Sequence, residues 1–372
     1  MRSVAGSALR SEAVPAVVLA AALAAGCGPG VVEGCRAGDG LAPVCGLRNP
    51  EDLALAPDGR WLLVSQFASG EGESGSLVAL RMEDGVVRPL FPGLGAETDG
   101  AKALGAAACP GAPDAVRFAP HGIDLGAVGG VPLLAVVNHG GREAVELFEV
   151  AAGTEGPTLG WRGCVPFPDD VFANDVAFLP PSAGRPEGSL VATWMLPRDG
   201  DGPTAGALLG VLLGRDTGAV LAWEPGGAWT RVPGSEESAP NGIAVSADGQ
   251  TLFVASWARS VLVRIARDGS RRDEVALPHH PDNLTWARDG RLLVAGQHGS
   301  VLAAFACGRV ETGTCALPFS VLAVDPSTLA LEEILDHDAS VTGAASVALE
   351  AGGALWIGSY RGDRVAVMAR EP

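Results

Sequence analysis

The sequence predicts an all-β fold, a six-bladed β-propeller with four-stranded blades whose ring is closed by an N-terminal strand. Three observations predict it: one short pattern recurs six times, each interval between copies holds about four strand-like segments, and no interval sustains a 3.6-residue apolar period. The pattern is a polar pair, an aliphatic-x-apolar strand, a gap carrying Gly, and a second aliphatic strand ending in small or polar residues. It reads EDLALAPDGRWLLVSQ from residue 51, HGIDLGAVGGVPLLAVVNH from 121 and NDVAFLPPSAGRPEGSLVATW from 174. It continues as NGIAVSADGQTLFVAS from 241, DNLTWARDGRLLVAGQ from 282 and ASVALEAGGALWIGSY from 345. The starts are 70, 53, 67, 41 and 63 residues apart, so the unit is kept while its loops vary.

In the copy at 241, Ile243 and Val245 alternate with small residues, Asp248-Gly249 makes a turn, and Leu252-Phe253-Val254 returns as a hairpin. Asn241-Gly242 stands at the start of a strand rather than between two strands, which turn chemistry does not explain. Further strands lie between the copies, as in SLVALRMEDGVVRPLF, GAVLAWEPGGAWTRV and SVLVRIARDGSRRDEVAL. An open solenoid is the structural alternative, but intervals of this length with an antiparallel pattern fit blades better. RVAVMAREP, residues 364–372, supplies only a third strand to the last blade. An open edge there invites aggregation, so a segment within 31–48, with Leu41 to Leu47 as candidate, is expected to supply the fourth.

Composition fits one large β unit: 372 residues, 47% hydrophobic, 5% aromatic, with 52 Gly and 27 Pro for turns. A formal charge of -17 disfavours nucleic acid and anionic membrane surfaces as partners and suits a cation. Residues 1–27 read as a lipoprotein-type signal peptide. Arg2 and Arg10 precede an apolar run from Ala13 to Ala25 that is short for a membrane span. The run ends in Ala24-Ala25-Gly26-Cys27, which resembles a bacterial lipobox and implies a lipid anchor on Cys27; an ordinary secretory signal cleaved nearby is the alternative. Either places the protein outside the cytoplasm. Residues 28–48 are then a linker and closing strand, and 49–372 the propeller. Six further cysteines without a C-x-x-C pair favour disulfides. The expected pairs are Cys307 with Cys315, Cys109 with Cys164, and Cys35 with Cys45.

In a propeller the first strand of every blade lines the central channel, so the polar pairs converge. In order they are Glu51-Asp52, His121-Gly122, Asn174-Asp175, Asn241-Gly242, Asp282-Asn283 and Ala345-Ser346. Carboxylate and amide oxygens from four blades around one axis form the ligand set of a hard cation such as Ca2+. Taken singly, each pair is a turn or a solvated loop. Gathered without one Lys or Arg, the carboxylates would repel one another, and a metal accounts for them.

Here the sequence resembles the calcium-dependent paraoxonase/arylesterase family of six-bladed propellers, over most of the chain after residue 48. Glu51-Asp52-Leu53, Pro120-His121-Gly122-Ile123, Val137-Asn138-His139 and Val145-Glu146-Leu147-Phe148 are similar to motifs of that family, as are Asn174-Asp175, Asn241-Gly242-Ile243 and Asp282-Asn283. The resemblance implies two calcium ions in the tunnel. The catalytic ion would be held by Glu51, Asn174, Asn241, Asp282 and Asn283, and the structural ion by Asp52, Asp175 and the carbonyl of Ile123. It also implies that His121 and His139 activate water, His121 taking the proton and His139 relaying it, with the ion stabilising the oxyanion. The expected pH profile rises through a pKa near neutral. The chain departs from the family in having no cysteine beyond 315, Trp194-Met195-Leu196 in place of Asn-Asp-His, and Ala239 in place of an aromatic.

No G-x-S-x-G, H-E-x-x-H or P-loop occurs. The apolar GALLGVLLG, residues 206–214, reads as a blade-connecting loop, either a canopy over the tunnel mouth or a buried packing segment. The expected function is an exported calcium-dependent hydrolase of lactones or carboxylic (aryl) esters acting on a small molecule. The competitors are a sugar lactonase of the regucalcin/gluconolactonase type and a non-catalytic binding propeller with structural calcium.

Overall fold

The computed structural model describes residues 30–68, 73–93, 104–182, 184–200 and 202–370. Cys27 and the rest of the signal-like segment lie outside them. Six blades of four antiparallel strands follow one another along the chain, the second extended by a short parallel strand, Leu104–Gly105, and the third by Gly202–Pro203. Their innermost strands are Pro50–Leu55, Pro120–Val128, Val171–Phe178, Pro240–Val245, His280–Trp286 and Ala345–Ala351. Each packs against the next and the last against the first, so the chain is a six-bladed β-propeller. The fourth strand of the last blade is Ala42–Cys45, antiparallel to Arg364–Ala369, with Ala42 opposite Val367 and Cys45 opposite Arg364. Pairing closes the ring without a terminal disulfide. All three expected disulfides are present.

Strands in the blade interiors read as continuous apolar runs because both faces are buried. In Trp61–Gln66, Leu62 and Val64 pack toward the last blade, while Leu63 packs toward the second. The core is therefore six apolar clusters, one at each blade interface, and a seventh at one end of the channel.

Every inner strand carries one extra residue at its polar pair. Pro120 faces Asn138 while Ile123 faces Val136, and Pro240 faces Ser256 while Ile243 faces Val254. The other four blades show the same shift. Such a bulge takes the pair out of the ladder and re-aims its side chains. Four of the pairs follow a proline (Pro50, Pro120, Pro240, Pro281), a residue confined to strand starts and bulges because it cannot donate to the ladder. The glycine of Asn241-Gly242 is explained by close approach. A Cβ on Gly242 would lie 2.4 Å from the Asp282 carbonyl oxygen, and one on Gly122 would lie 2.3 Å from Asp175 Oδ1. Gly242→Ala is expected to cost about 1–3 kcal/mol through overpacking. An unchanged thermal midpoint would contradict this account.

Two short helices were not expected. Residues within the presumed loop 206–214 form α1, Ala205–Leu212, capped by Thr204, whose side chain accepts from the Ala207 N–H at 3.1 Å. A second helix, α2, Val301–Ala306, is capped in the same way by Ser300. Val31–Val32 pairs with Thr314–Cys315, also unforeseen, and the buried Arg364 guanidinium holds this segment through the carbonyls of Val32 and Gly34. Among the described residues no helix is long and apolar enough to cross a membrane.

Candidate active site

The bulges send the two members of Glu51-Asp52 and of Asn174-Asp175 to opposite ends of the channel, whereas Asp282 and Asn283 both serve the first end. The first members Glu51, His121, Asn174, Asn241 and Asp282 line a cavity of about 310 Å³ at one end. Asp52, Ile123, Asp175 and Ile243 line a cavity of the same size at the other.

At the first end, Asn283 Nδ2 donates to Glu51 Oε1 at 2.7 Å, and His121 Nε2 lies 3.8 Å from the same oxygen. Asn174 Nδ2 is 3.4 Å from His121 Nε2. Gln297, at the end of its blade's second strand, donates to Asp282 Oδ2 at 2.6 Å and accepts from Trp257 Nε1 at 3.1 Å. Four buried oxygens are left without any hydrogen-bond partner: Glu51 Oε2, Asn174 Oδ1, Asn241 Oδ1 and Asn283 Oδ1. Buried polar atoms are rarely left so, because each forfeits its hydration. All four are oxygens, as a hard cation requires, so the residues fit calcium.

At the second end the carboxylates already have partners. Asp52 accepts from the Leu53 N–H at 2.8 Å and the Ile123 N–H at 2.7 Å. Asp175 accepts from Val176 at 2.7 Å and Ile243 at 2.8 Å. These bonds stitch the first blade to the second and the third to the fourth. Ile123 thus meets Asp52 through its N–H.

Burial, then the neighbouring Asp52 and Asp282, hold the Glu51 carboxyl well above its ordinary range. Burial and then Asp52 do the same to Asp175. Burial lifts Asp52 and Asp282 to about 7, against the backbone donors at Asp52 and the Gln297 and Asn241 amides at Asp282. A bound cation would remove this penalty.

The two histidines meet: His121 Nδ1 is 2.9 Å from His139 Nε2. Phe67 lies against His121 with ring centroids 4.5 Å apart, and Phe172 stacks on His139 at 4.3 Å. Burial, and then His139, hold the His121 pKa well below the imidazole range. The cavity wall above is apolar or aromatic, with Phe67, Met195, Trp257, Phe305 and Tyr360. The last of these bonds the Ala304 carbonyl of α2 at 3.0 Å. It is α2 that lines the cavity; α1 packs on the same cluster behind Met195 and Leu196.

Sequence reading missed Glu143, Gln297, Phe172 and the α2 wall. Gln297 had a signal, the polar end of the repeated second strand. Glu143 had none, since its proximity to His139 depends on a loop. Outside the channel, Asp39, His337 and Asp338 bring ligand-type atoms within 4.8 Å of one another. His337 Nδ1 accepts from the Ala339 N–H at 3.1 Å, so the neutral ring carries its proton on Nε2 and offers no lone pair there.

Fold and site together define a six-bladed propeller with buried oxygens and a histidine pair at one end of its channel. No protein-family model matches the chain, and no curated protein is significantly similar to it. Among solved structures it is similar to a gluconolactonase from Xanthomonas campestris, at 20% identity and TM-score 0.52, over 92% of this chain and 94% of that one. It is also similar to a PQQ-bound aldose sugar dehydrogenase from Streptomyces coelicolor, at 16% identity and TM-score 0.50, over 87% and 94%. A luciferin-regenerating enzyme matches at 11% identity and TM-score 0.50, over 87% and 92%. Likeness at these identities establishes the shared fold alone, and one fold carries many chemistries.

Proposed function

We propose that the chain is a calcium-dependent hydrolase of lactones and related carboxylic esters. The observation that carries this reading is the group of four partnerless buried oxygens, on Glu51, Asn174, Asn241 and Asn283, gathered beside His121. With Asp282 these residues would hold one Ca2+, two carboxylates balancing its charge. When bound, the ion supplies Lewis acidity toward a carbonyl oxygen. His121 Nε2 accepts a proton from the water whose oxygen attacks the carbonyl carbon, and returns it to the alkoxide when the ester C–O bond breaks. Phe67 and Phe172 cover the imidazoles and exclude other water. Asp52, Asp175 and the Ile123 carbonyl would hold a second, structural Ca2+.

Two substrate classes suit such a site. The apolar wall of Phe67, Met195, Trp257 and Phe305, with the histidine pair, favours aliphatic lactones or aryl esters. Likeness to a gluconolactonase favours the alternative, a sugar lactonase of the regucalcin/gluconolactonase type, and of the two the comparisons support this one better. The test offers gluconolactone, an aliphatic lactone and phenyl acetate to purified protein, with and without chelator. Chelator-sensitive lactone turnover is expected, and the preferred lactone decides between the classes. No turnover of any of them, with calcium bound, would leave a non-catalytic binding propeller.

A further inference from the structure

The histidine pair continues to a third residue. Glu143 is buried, and its Oε1 and Oε2 lie 2.9 and 3.1 Å from His139 Nδ1. Its other partners are also N–H donors: Ala173 N donates to Oε1 at 2.7 Å and Arg198 Nη1 to Oε2 at 3.0 Å. The loop that brings Glu143 here is fixed by Asn138, whose Oδ1 accepts from the N–H groups of Ala119 and Gly140, both at 3.0 Å. Gly140 is obligatory, since a Cβ there would lie 1.5 Å from the Arg117 carbonyl oxygen.

These contacts dictate where the protons sit. A carboxylate only accepts, so His139 Nδ1 carries a hydrogen and neutral His139 has its lone pair on Nε2. That lone pair faces His121 Nδ1 at 2.9 Å, so His121 Nδ1 carries a hydrogen and the lone pair of His121 falls on Nε2. This nitrogen faces Asn174 Nδ2, a donor, at 3.4 Å. We infer that Glu143 is a positioning residue: it sets the tautomers of both histidines, presents the His121 Nε2 lone pair to the channel, and makes His139 the resting place of the proton's charge. The last part rests on the hydrolytic reading above. When water gives a proton to His121 Nε2, the Nδ1 proton of His121 passes to His139 Nε2. His121 is neutral again, and His139, protonated on both nitrogens, lies against the Glu143 carboxylate. The positive charge is thus removed from the cation-binding end of the relay. Arg198 and the Ala173 N–H keep both Glu143 oxygens oriented, and stacked Phe172 keeps water from the His139 ring.

The first test needs no variant and no activity. Two-bond proton–nitrogen NMR correlations on the calcium-loaded protein should show both imidazoles with hydrogen on Nδ1 and a bare Nε2. A hydrogen on Nε2 of either neutral ring overturns the inference, whatever the substrate proves to be. The second test is Glu143→Gln, which keeps the size but removes the charge and one of the two acceptor oxygens that meet the His139, Ala173 and Arg198 donors. The kcat should fall about tenfold to a hundredfold, as for partners that orient a reactive ligand, with KM and calcium affinity little changed and Glu143→Asp restoring part of the rate. Unchanged kcat, or a loss confined to KM, also overturns it. If neither form hydrolyses anything while the tautomers are as stated, the hydrolytic reading fails and the tautomer assignment stands.

Discussion

His121→Gln is expected to lower lactone turnover by about 10² to 10⁴, the contribution of a positioned general base. His139→Gln should cost less, because it reaches the substrate only through His121, whose Nδ1 lies 2.9 Å from His139 Nε2. Glutamine approximates the reach of the ring without its basicity, so calcium binding and the melt should survive both changes. The pH profile supplies a second reading. Burial and then His139 hold the His121 pKa well below the imidazole range, which keeps the ring neutral and basic further into acid than a free histidine. The limb on which turnover rises with pH nevertheless belongs to the histidine pair rather than to His121 alone, because an added proton comes to rest on His139 against Glu143, and that limb is expected to move in Glu143→Gln. If His121→Gln keeps full turnover with calcium still bound, this histidine has no part in the chemistry.

How much of this was legible beforehand follows from where each feature is encoded. The blades were readable because an inner strand, a Gly-bearing turn and a second strand repeat as contiguous pieces, and burial on both faces makes runs such as Trp61–Gln66 apolar throughout. The closing strand was readable because the last blade ends one strand short, and Ala42–Cys45 fills that place. Convergence of Glu51, Asn174, Asn241 and Asp282 at one cavity followed from the ring itself, six separate sequence places becoming neighbours. The helices were not readable, since α1 and α2 are eight and six residues long, too short for a periodic signal to outweigh the surrounding strands. Their N-caps, Thr204 and Ser300, were visible but resemble ordinary loop residues. Glu143 lay beyond sequence reasoning for a different cause: its contact with His139 depends on the Asn138 and Gly140 turn, and its contact with Arg198 spans 55 positions.

Graded chelator should separate the two ends of the channel, with activity vanishing at a lower chelator concentration than the fold. Glu51, Asn174, Asn241 and Asn283 each present a buried oxygen with no hydrogen-bond partner, and their backbones lie in strands paired through other residues. Asn241→Ala or Asn283→Ala should therefore abolish turnover with the fold largely retained. Asp52 and Asp175 differ, for each also accepts a hydrogen bond from the next blade, through Ile123 and Ile243. Asp52→Ala or Asp175→Ala strands those N–H groups, at about 1–3 kcal/mol apiece, in addition to any binding energy lost from a site absent in the unfolded chain. Both variants should melt earlier and express poorly. The pH dependence of the stripped protein gives an independent check. Asp52 and Asp282 titrate at about 7 in the folded chain, above the ordinary aspartate value, so folding takes up protons between that value and 7. Their contribution is fully present below the ordinary value and is lost as pH rises through 7, so the chelated protein should melt lower at pH 8 than at pH 5. Calcium should flatten or reverse that slope, because it binds the same oxygens after their protons leave. Loss of activity and fold in one step, or a melt indifferent to chelator at pH 8, would remove the two-calcium assignment and leave the carboxylates as a proton-dependent brace between blades.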